Sequence, residues 1–384
     1  MGIFNFFGKR KPNIIMINID GGGREDALKK VKSYQELKKE AVFLPTLITY
    51  APYSIGSMHA QISGMYGKLN GVNGYYKAYS FDTKNVYTLT QYLKDAGYHT
   101  EIDWVLEEGA PAQGFDTIRS YGKDESSFID LAKRHSEILT QINDKQPFFL
   151  ILDYNKIAFN MLTSVLKKYT DFSEEYFKNK EKNFSNYIQW LTESGEYVNQ
   201  ILNKLKELNL YDNSIIIIYS DHGCSVGDRI GEKAYGVYLY DYTIRCFAYI
   251  IAKDFPKNLE IKTVIRTIDI LPTILDVLKI PIKKGYKQVQ GKSFLPFIHG
   301  KGEERIAYSE TGGLGGPTPS PEVHNTFAVR TNKWKLIYNE TNKKKELYDL
   351  ENDREEKNNL MGKEPEVEKY LWGEMEKVKN EGHT

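Results

Sequence analysis

Four stretches of the 384-residue sequence carry side chains that could do chemistry. The run SDHG at 220–223 sets a carboxylate, Asp221, beside an imidazole, His222. Adjacent donors of these two kinds can both reach one divalent ion where the backbone is irregular. Asp20 closes the apolar run NIIMINI and precedes three glycines, and Asp153 closes PFFLILD. A single Asp after a strand reads as a turn former. Three polar strand ends instead point to carboxylates converging at one rim of a sheet, with Asp20, Asp221 and His222 as the ligand set. The fourth stretch, TYAPYSIGSMHAQISGMYG at 49–67, offers Ser54 and Ser57 as attacking hydroxyls and His59 as a residue that could bind substrate. Cys224 stands two residues beyond His222, but a lone thiol beside hard-metal donors reads as a bystander.

The elements that must position these groups are legible as alternating patterns. NIIMINI at 13–19, PFFLILD at 147–153, SIIIIY at 214–219 and AYIIA at 248–252 are continuous apolar runs, as expected of strands covered on both faces. Helical periodicity at 88–96 and 197–208 falls between them. Such alternation predicts an α/β fold, a doubly wound, mostly parallel sheet sandwiched by helices, and ligands of such sheets bind outside the carboxyl ends of the strands. From residue 310 the texture changes to a Gly/Pro loop followed by FAVRT, KWKLIYN and KKELYDL, then a charged helical tail. These predict a small antiparallel-sheet subdomain. The expected organisation is a tail at 1–12, a catalytic domain at 13–302 and an α+β subdomain at 303–384. A helical insertion or lid is expected near 154–195, where aromatics crowd a Lys/Glu-rich stretch.

Read in order, NIIMINIDG, TLTQYLKDAGYHT, GFDT, YDNSIIIIYSDHG, LYDYTIR, DILPTILDVLKI and ELYDLENDREEKNNL resemble the sulfatase branch of the alkaline phosphatase superfamily over nearly the whole chain. The resemblance implies the doubly wound fold, a divalent metal, and attack on a tetrahedral ester by a residue at a helix N-terminus. In the family the attacking residue lies ten before a Thr-Gly glycine. Ser63-Gly64 matches that pair, and counting back gives Ser54 as nucleophile and fourth metal contact. Ser57 misses the spacing by three.

The sequence also departs from the family pattern. Gly56 and Met58 occupy the Pro and Arg positions that a formylglycine-forming enzyme reads, so Ser54 is expected to stay unmodified. Val105 and Glu107 stand where the family carries Lys and His, and Gly21 where it carries a second Asp. Asp153 lies where a two-metal member would place a ligand, yet Ile157 follows where a His would complete that site. Lys233 could touch an anionic oxygen and His324 could lend a distant imidazole; a surface Lys and a solvated loop His are the plain alternatives. The expectation is a metal-dependent hydrolase of a phosphoric mono- or diester acting through a Ser54 covalent intermediate. The alternatives are a sulfatase, a phosphoryl transferase sharing that intermediate, and a non-catalytic anion binder.

Composition narrows the partners. Lys plus Arg number 52 against 51 Asp plus Glu, a formal charge of +1, so no overall field draws the chain to nucleic acid. The expected partner is an ester of a small molecule, a glycan or a lipid headgroup, and the expected cofactor is Mn, Zn, Mg or Ca. Two cysteines are too few for a disulfide framework and suggest a reducing, cytoplasmic setting. No run approaches the roughly twenty apolar residues of a spanning helix. A weak peripheral membrane contact through Phe4, Phe6 and Phe7 is the most that the N-terminus suggests.

Overall fold

The computed structural model describes residues 11–122, 128–172 and 174–381. The N-terminal phenylalanines expected to touch a membrane lie outside the described residues. The main sheet uses β1 (Asn13–Ile19), β2 (Val42–Ile48), β3 (His99–Trp104), β4 (Thr117–Ser120), β5 (Phe148–Tyr154), β6 (Ser214–Tyr219), β7 (Arg245–Ile251), β8 (Leu259–Glu260) and β9 (Ile265–Arg266). Its order is β4-β3-β5-β1-β6-β7-β2-β8, with β9 also on β2. The strands from β4 to β6 run parallel. The run at 248–252 forms part of β7, which lies antiparallel to both β6 and β2. An apolar run is the same in either direction, because burial on both faces dictates it and pairing sense does not.

β1, β5 and β6 are buried along their whole lengths, and their isoleucines and leucines form the centre of the core. Register aligns Asn18 with both Asp153 and Tyr219, so the three strands end level. The carboxyl ends of β5, β1 and β6 therefore deliver Asp153, Asp20 and Asp221–His222 to one rim. β2 feeds the bent 49–53 segment into the helix Ser54–Ser63. The helix Leu89–Asp95 starts with a reciprocal cap between Thr88 and Gln91. The long helix Lys180–Glu207 packs Tyr187, Leu191, Val198 and Ile201 against the sheet.

Between β5 and that helix, Lys156–Met161 continues into a wider π turn at Leu162–Leu166. A second sheet runs β10 (Ala307–Thr311), β11 (Thr326–Arg330), β12 (Trp334–Asn339) and β13 (Lys344–Asp349), all antiparallel, and the helix Pro365–Asn380 covers it. This sheet is joined to the nucleophile segment directly. The Glu310 amide donates to the Tyr50 carbonyl (2.8 Å) and the Ser309 hydroxyl to the Thr49 carbonyl (2.6 Å).

Candidate metal and ester site

Asp20, Asp221 and His222 come together at the rim of the sheet, with ligand atoms within 4.8 Å of one another. His222 Nε2 stands 3.3 Å from Asp20 Oδ1 and 3.8 Å from Asp221 Oδ2. Ser54 is the first residue of its helix, and its hydroxyl donates to Asp20 Oδ1 (3.2 Å) while lying 3.3 Å from His222 Nε2. Four residues separated by up to 202 positions in sequence thus share one point, with Ser54 half-buried and facing the cavity above.

Asp221 and His222 are held by backbone groups of the loops that follow β1 and β6. Asp221 Oδ1 accepts from the amides of His222 (3.0 Å) and Gly21 (3.3 Å). His222 Nδ1 lies 2.9 Å from the Gly223 carbonyl, so it carries the proton and turns Nε2 toward Asp20 and Ser54. Tyr235 packs against the same ring, with centroids 4.6 Å apart. Ser57 is buried and spent on structure: it accepts from Thr49 Oγ1 (2.8 Å) and donates to the Asp221 carbonyl (2.9 Å). That pair of bonds seats the helix against the metal loop and separates the roles of the two serines.

The buried charges at this rim shift one another. Burial and the neighbouring Asp20 push the Asp221 carboxyl up to about 6, although His222 pulls it back. Burial, then Asp20 and Asp221, push Asp153 well above the ordinary carboxylate range. Burial opposes an imidazolium at His222, but the Asp221 and Asp20 charges outweigh it and hold the ring well above its usual value. Asp221 Oδ2 and Asp153 Oδ2 are buried without a hydrogen-bond partner among the described residues, a costly state for an oxygen that a metal or proton would satisfy. Two carboxylates, one oriented imidazole and a hydroxyl form a donor set that fits a divalent ion.

Gly21 explains the missing second Asp. Its φ is +73°, and a Cβ there would stand 2.9 Å from Cys224 Sγ, so a side chain at 21 would be both strained and obstructed. Gly56 is required by close approach, because a Cβ would come within 2.6 Å of the Ala51 methyl. Met58 is buried in the core under the Tyr219 hydroxyl (3.3 Å), Val105 lines the cavity, and Glu107 is exposed.

The remaining expected residues are dispersed. Asp153 is at the rim, but its Oδ1 accepts from Asn18 Nδ2 (2.9 Å). His59 points into the core, with Nδ1 2.8 Å from the Ile55 carbonyl and its ring edge-on to Phe81; burial drops it to about 4. Lys233 lines the cavity, yet its ammonium donates to the carbonyls of Tyr169 and Asp171 (3.1 Å to the latter). His324 sits behind the nucleophile, bonded through Nε2 to the Tyr53 hydroxyl, with Nδ1 3.1 Å from Glu310 Oε2. Glu310 also accepts from Tyr50 (2.8 Å) and Tyr308 (2.6 Å). This buried network fixes Tyr53, next to Ser54, and sequence reading missed it: Glu310 and His324 are brought together only by pairing of β10 with β11.

Comparisons with known proteins agree with this architecture. Residues 12–280 match the family model described as Sulfatase, and residues 237–381 match that for the C-terminal region of N-sulphoglucosamine sulphohydrolase. Arylsulfatase K of Bos taurus is 28% identical over 184 residues, covering 44% of this chain and 32% of that protein. The chain therefore spans about a third of the length of that curated relative. The solved structure of BT4656 with its substrate D-glucosamine-2-N,6-O-disulfate superposes with TM-score 0.75 at 16% identity, covering 97% of this chain and 99% of that one. The phosphonate monoester hydrolase of Agrobacterium radiobacter gives TM-score 0.74 at 14% identity, over 96% and 95%. These two likenesses concern the fold. The family match over more than half of the chain, which includes Asp20, Ser54, Asp221 and His222, shows that the chain belongs to the sulfatase family, with the alkaline phosphatase-like fold.

Proposed function

We propose that the chain is a metal-dependent ester hydrolase that cleaves a sulfuric monoester, with Ser54 as the attacking residue. The observation that carries this reading is the meeting of Asp20, Ser54, Asp221 and His222 at one point inside the family match. Asp20, Asp221 and His222 would hold a divalent cation, which supplies a lowered hydroxyl pKa and charge neutralisation at an ester oxygen. Asp20 accepts the Ser54 hydrogen bond, and Ser54 lines the cavity where an ester would sit. The unsatisfied amides of the first helical turn, at Ser54, Ile55 and Gly56, add positive potential where the ester's oxygens gather charge. Attack at sulfur breaks the bond to the alcohol, and water then releases the group from Ser54. A reducing, cytoplasmic setting belongs to the same proposal, since Cys224 and Cys246 are buried free thiols.

The expectation of a phosphoric ester gives way to the sulfuric one because the relatives are sulfatases. It stays as a second reading on one observation. Gly56 and Met58 deny Ser54 the Pro and Arg of the modification motif, and an unmodified hydroxyl attacking a tetrahedral centre suits phosphorus equally well. Turnover of nitrophenyl sulfate, nitrophenyl phosphate and phenylphosphonate esters with Mn²⁺, Zn²⁺, Mg²⁺ or Ca²⁺ decides between them. Sulfate as the best substrate supports the proposal; phosphate or phosphonate alone replaces it with the second reading. No turnover of any ester with metal bound leaves a non-catalytic anion binder.

A further inference from the structure

A second cavity, about 490 Å³ and within the size range of small-molecule sites, shares no lining residue with the one above Ser54. It lies between the turn after β1, the start of β7 and the segment that follows β13. Eight lysines and arginines and six carboxylates line it, and Tyr242 is its single uncharged lining residue among those described. The six carboxylates are already engaged. Glu25 alone meets Lys29 (2.7 Å), Arg245 (2.9 Å) and Arg354 (3.9 Å). Asp228 meets Arg24 (2.5 Å) and Lys180 (2.9 Å), Asp26 also meets Arg24 (2.7 Å), and Glu355 meets Lys357 (2.5 Å). Asp241 is matched by Arg330 and Lys335 (2.9 Å each) and Glu356 by Lys335 (2.8 Å), two buried cations that do not line the cavity. Lys30 and Arg229 are left with no carboxylate in ion-pair distance among the described residues. Lys30 lies over the Phe184 ring, 5.2 Å from the centroid, and Arg229 over Tyr240, 3.8 Å away. Arg229 donates to the Glu355 (3.3 Å) and Glu356 carbonyls, and its buried Nε meets no acceptor among the described residues.

We propose that this cavity binds a small anion carrying two or more phosphate groups, met by Lys30, Arg229 and Arg354. The surplus of cations over carboxylates is its physical basis, because a concave wall of one net sign concentrates counter-ions of the other. Arg245 feels the same surplus: burial pulls its guanidinium below the ordinary value, and Arg330 and Arg354 pull with it against Asp241 and Glu25. A guanidinium fork matches tetrahedral oxyanions, and Arg354, 68% exposed and 3.9 Å from its nearest carboxylate, has donors to spare. A terminal phosphate carries up to two charges at neutral pH, where a sulfate ester carries one. Several joined phosphates therefore offset the surplus that a single anionic group leaves standing. The site is independent of the ester chemistry, since neither Ser54 nor a metal donor contributes to it.

The test is calorimetric titration of the full chain at pH 7 and low salt with tripolyphosphate, ATP, orthophosphate and sulfate. No divalent ion is added, because the probes would chelate it. Tripolyphosphate should bind at least about tenfold more tightly than orthophosphate or sulfate and weaken steeply as salt is raised. Arg354→Glu and Lys30→Glu, at exposed positions where folding is retained, should each weaken it about tenfold or more. Lys253→Glu, an equal change of charge at an exposed position outside the cavity, should alter it less than about twofold. Tripolyphosphate should also raise the unfolding temperature of the parent and raise that of Arg354→Glu less. Equal affinity for ATP and tripolyphosphate assigns the site to a bare phosphate chain, and tighter ATP to a nucleotide; both support the proposal. No binding, no preference for tripolyphosphate over orthophosphate or sulfate, or binding that Lys253→Glu weakens as much as Arg354→Glu and Lys30→Glu do would overturn it. Such a failure leaves the hydrolase reading standing, and absence of all ester turnover leaves this site standing.

Discussion

Two serines three residues apart make opposite predictions. Ser54→Ala removes a half-buried hydroxyl that faces the cavity and donates one bond, at 3.2 Å, to Asp20. The loss should cost about 10³-fold or more in kcat, because no other hydroxyl can take its place. Stability should change by less than about 1 kcal/mol, since Asp20 can turn to water or a cation. Ser57→Ala removes a fully buried hydroxyl with two good bonds, one accepted from Thr49 and one donated to the Asp221 carbonyl. Both partners are themselves buried, so the cost is that of leaving polar atoms unmet, about 1–3 kcal/mol. Activity at saturating metal should stay within about tenfold, reflecting a looser seat for the Asp221 loop. Urea unfolding at pH 7 gives the stability change, and initial rates on the best nitrophenyl ester give the catalytic one. The reasoning fails if Ser57→Ala abolishes turnover in a protein of parental stability, or if Ser54→Ala keeps most of the rate.

His59 stays neutral in the fold, depressed by burial from the ordinary 6.5 to about 4. The unfolded chain binds the extra proton between those values, so the contribution is complete above about pH 6.5 and is lost as pH falls toward 4, by ~3 kcal/mol in all. Urea titrations of the parent and His59→Gln between pH 7 and 5 should show a shallower acid loss in the variant; parallel curves would refute this. Restoring the family's second carboxylate with Gly21→Asp should not create a better metal site. At φ +73° and with Cys224 Sγ 2.9 Å from the new Cβ, the fold should lose about 1–3 kcal/mol; a variant with higher metal affinity and unchanged stability would contradict the strain.

Much of the architecture could be read from residue order. Continuous apolar runs ending in Asp20, Asp153 and SDHG located three parallel strands and their shared rim, because burial on both faces leaves no polar position inside the strand. The three antiparallel hairpin strands after 326 were equally plain from their turns. Local pattern could not orient β7, since pairing sense leaves no mark on a buried run. Nor could it rank Ser54 above Ser57: both are hydroxyls in one stretch, and the family spacing made the distinction that the Ser57 bonds to Thr49 and Asp221 explain physically. Lys233 and His324 were visible only as charges. Their partners, the 169–172 backbone and the Tyr53–Glu310 pair, are assembled by contacts across the fold.

The most direct test of a cation-assisted Ser54 is a crystal soaked in Mn²⁺ and measured for anomalous scattering. A peak within about 2.0–2.6 Å of Asp20, Asp221 and His222 donors, next to the Ser54 hydroxyl and lost in His222→Ala, is the predicted result. A fully folded crystal with no peak there, or with the ion bound elsewhere and Ser54 turned away from it, would contradict the account.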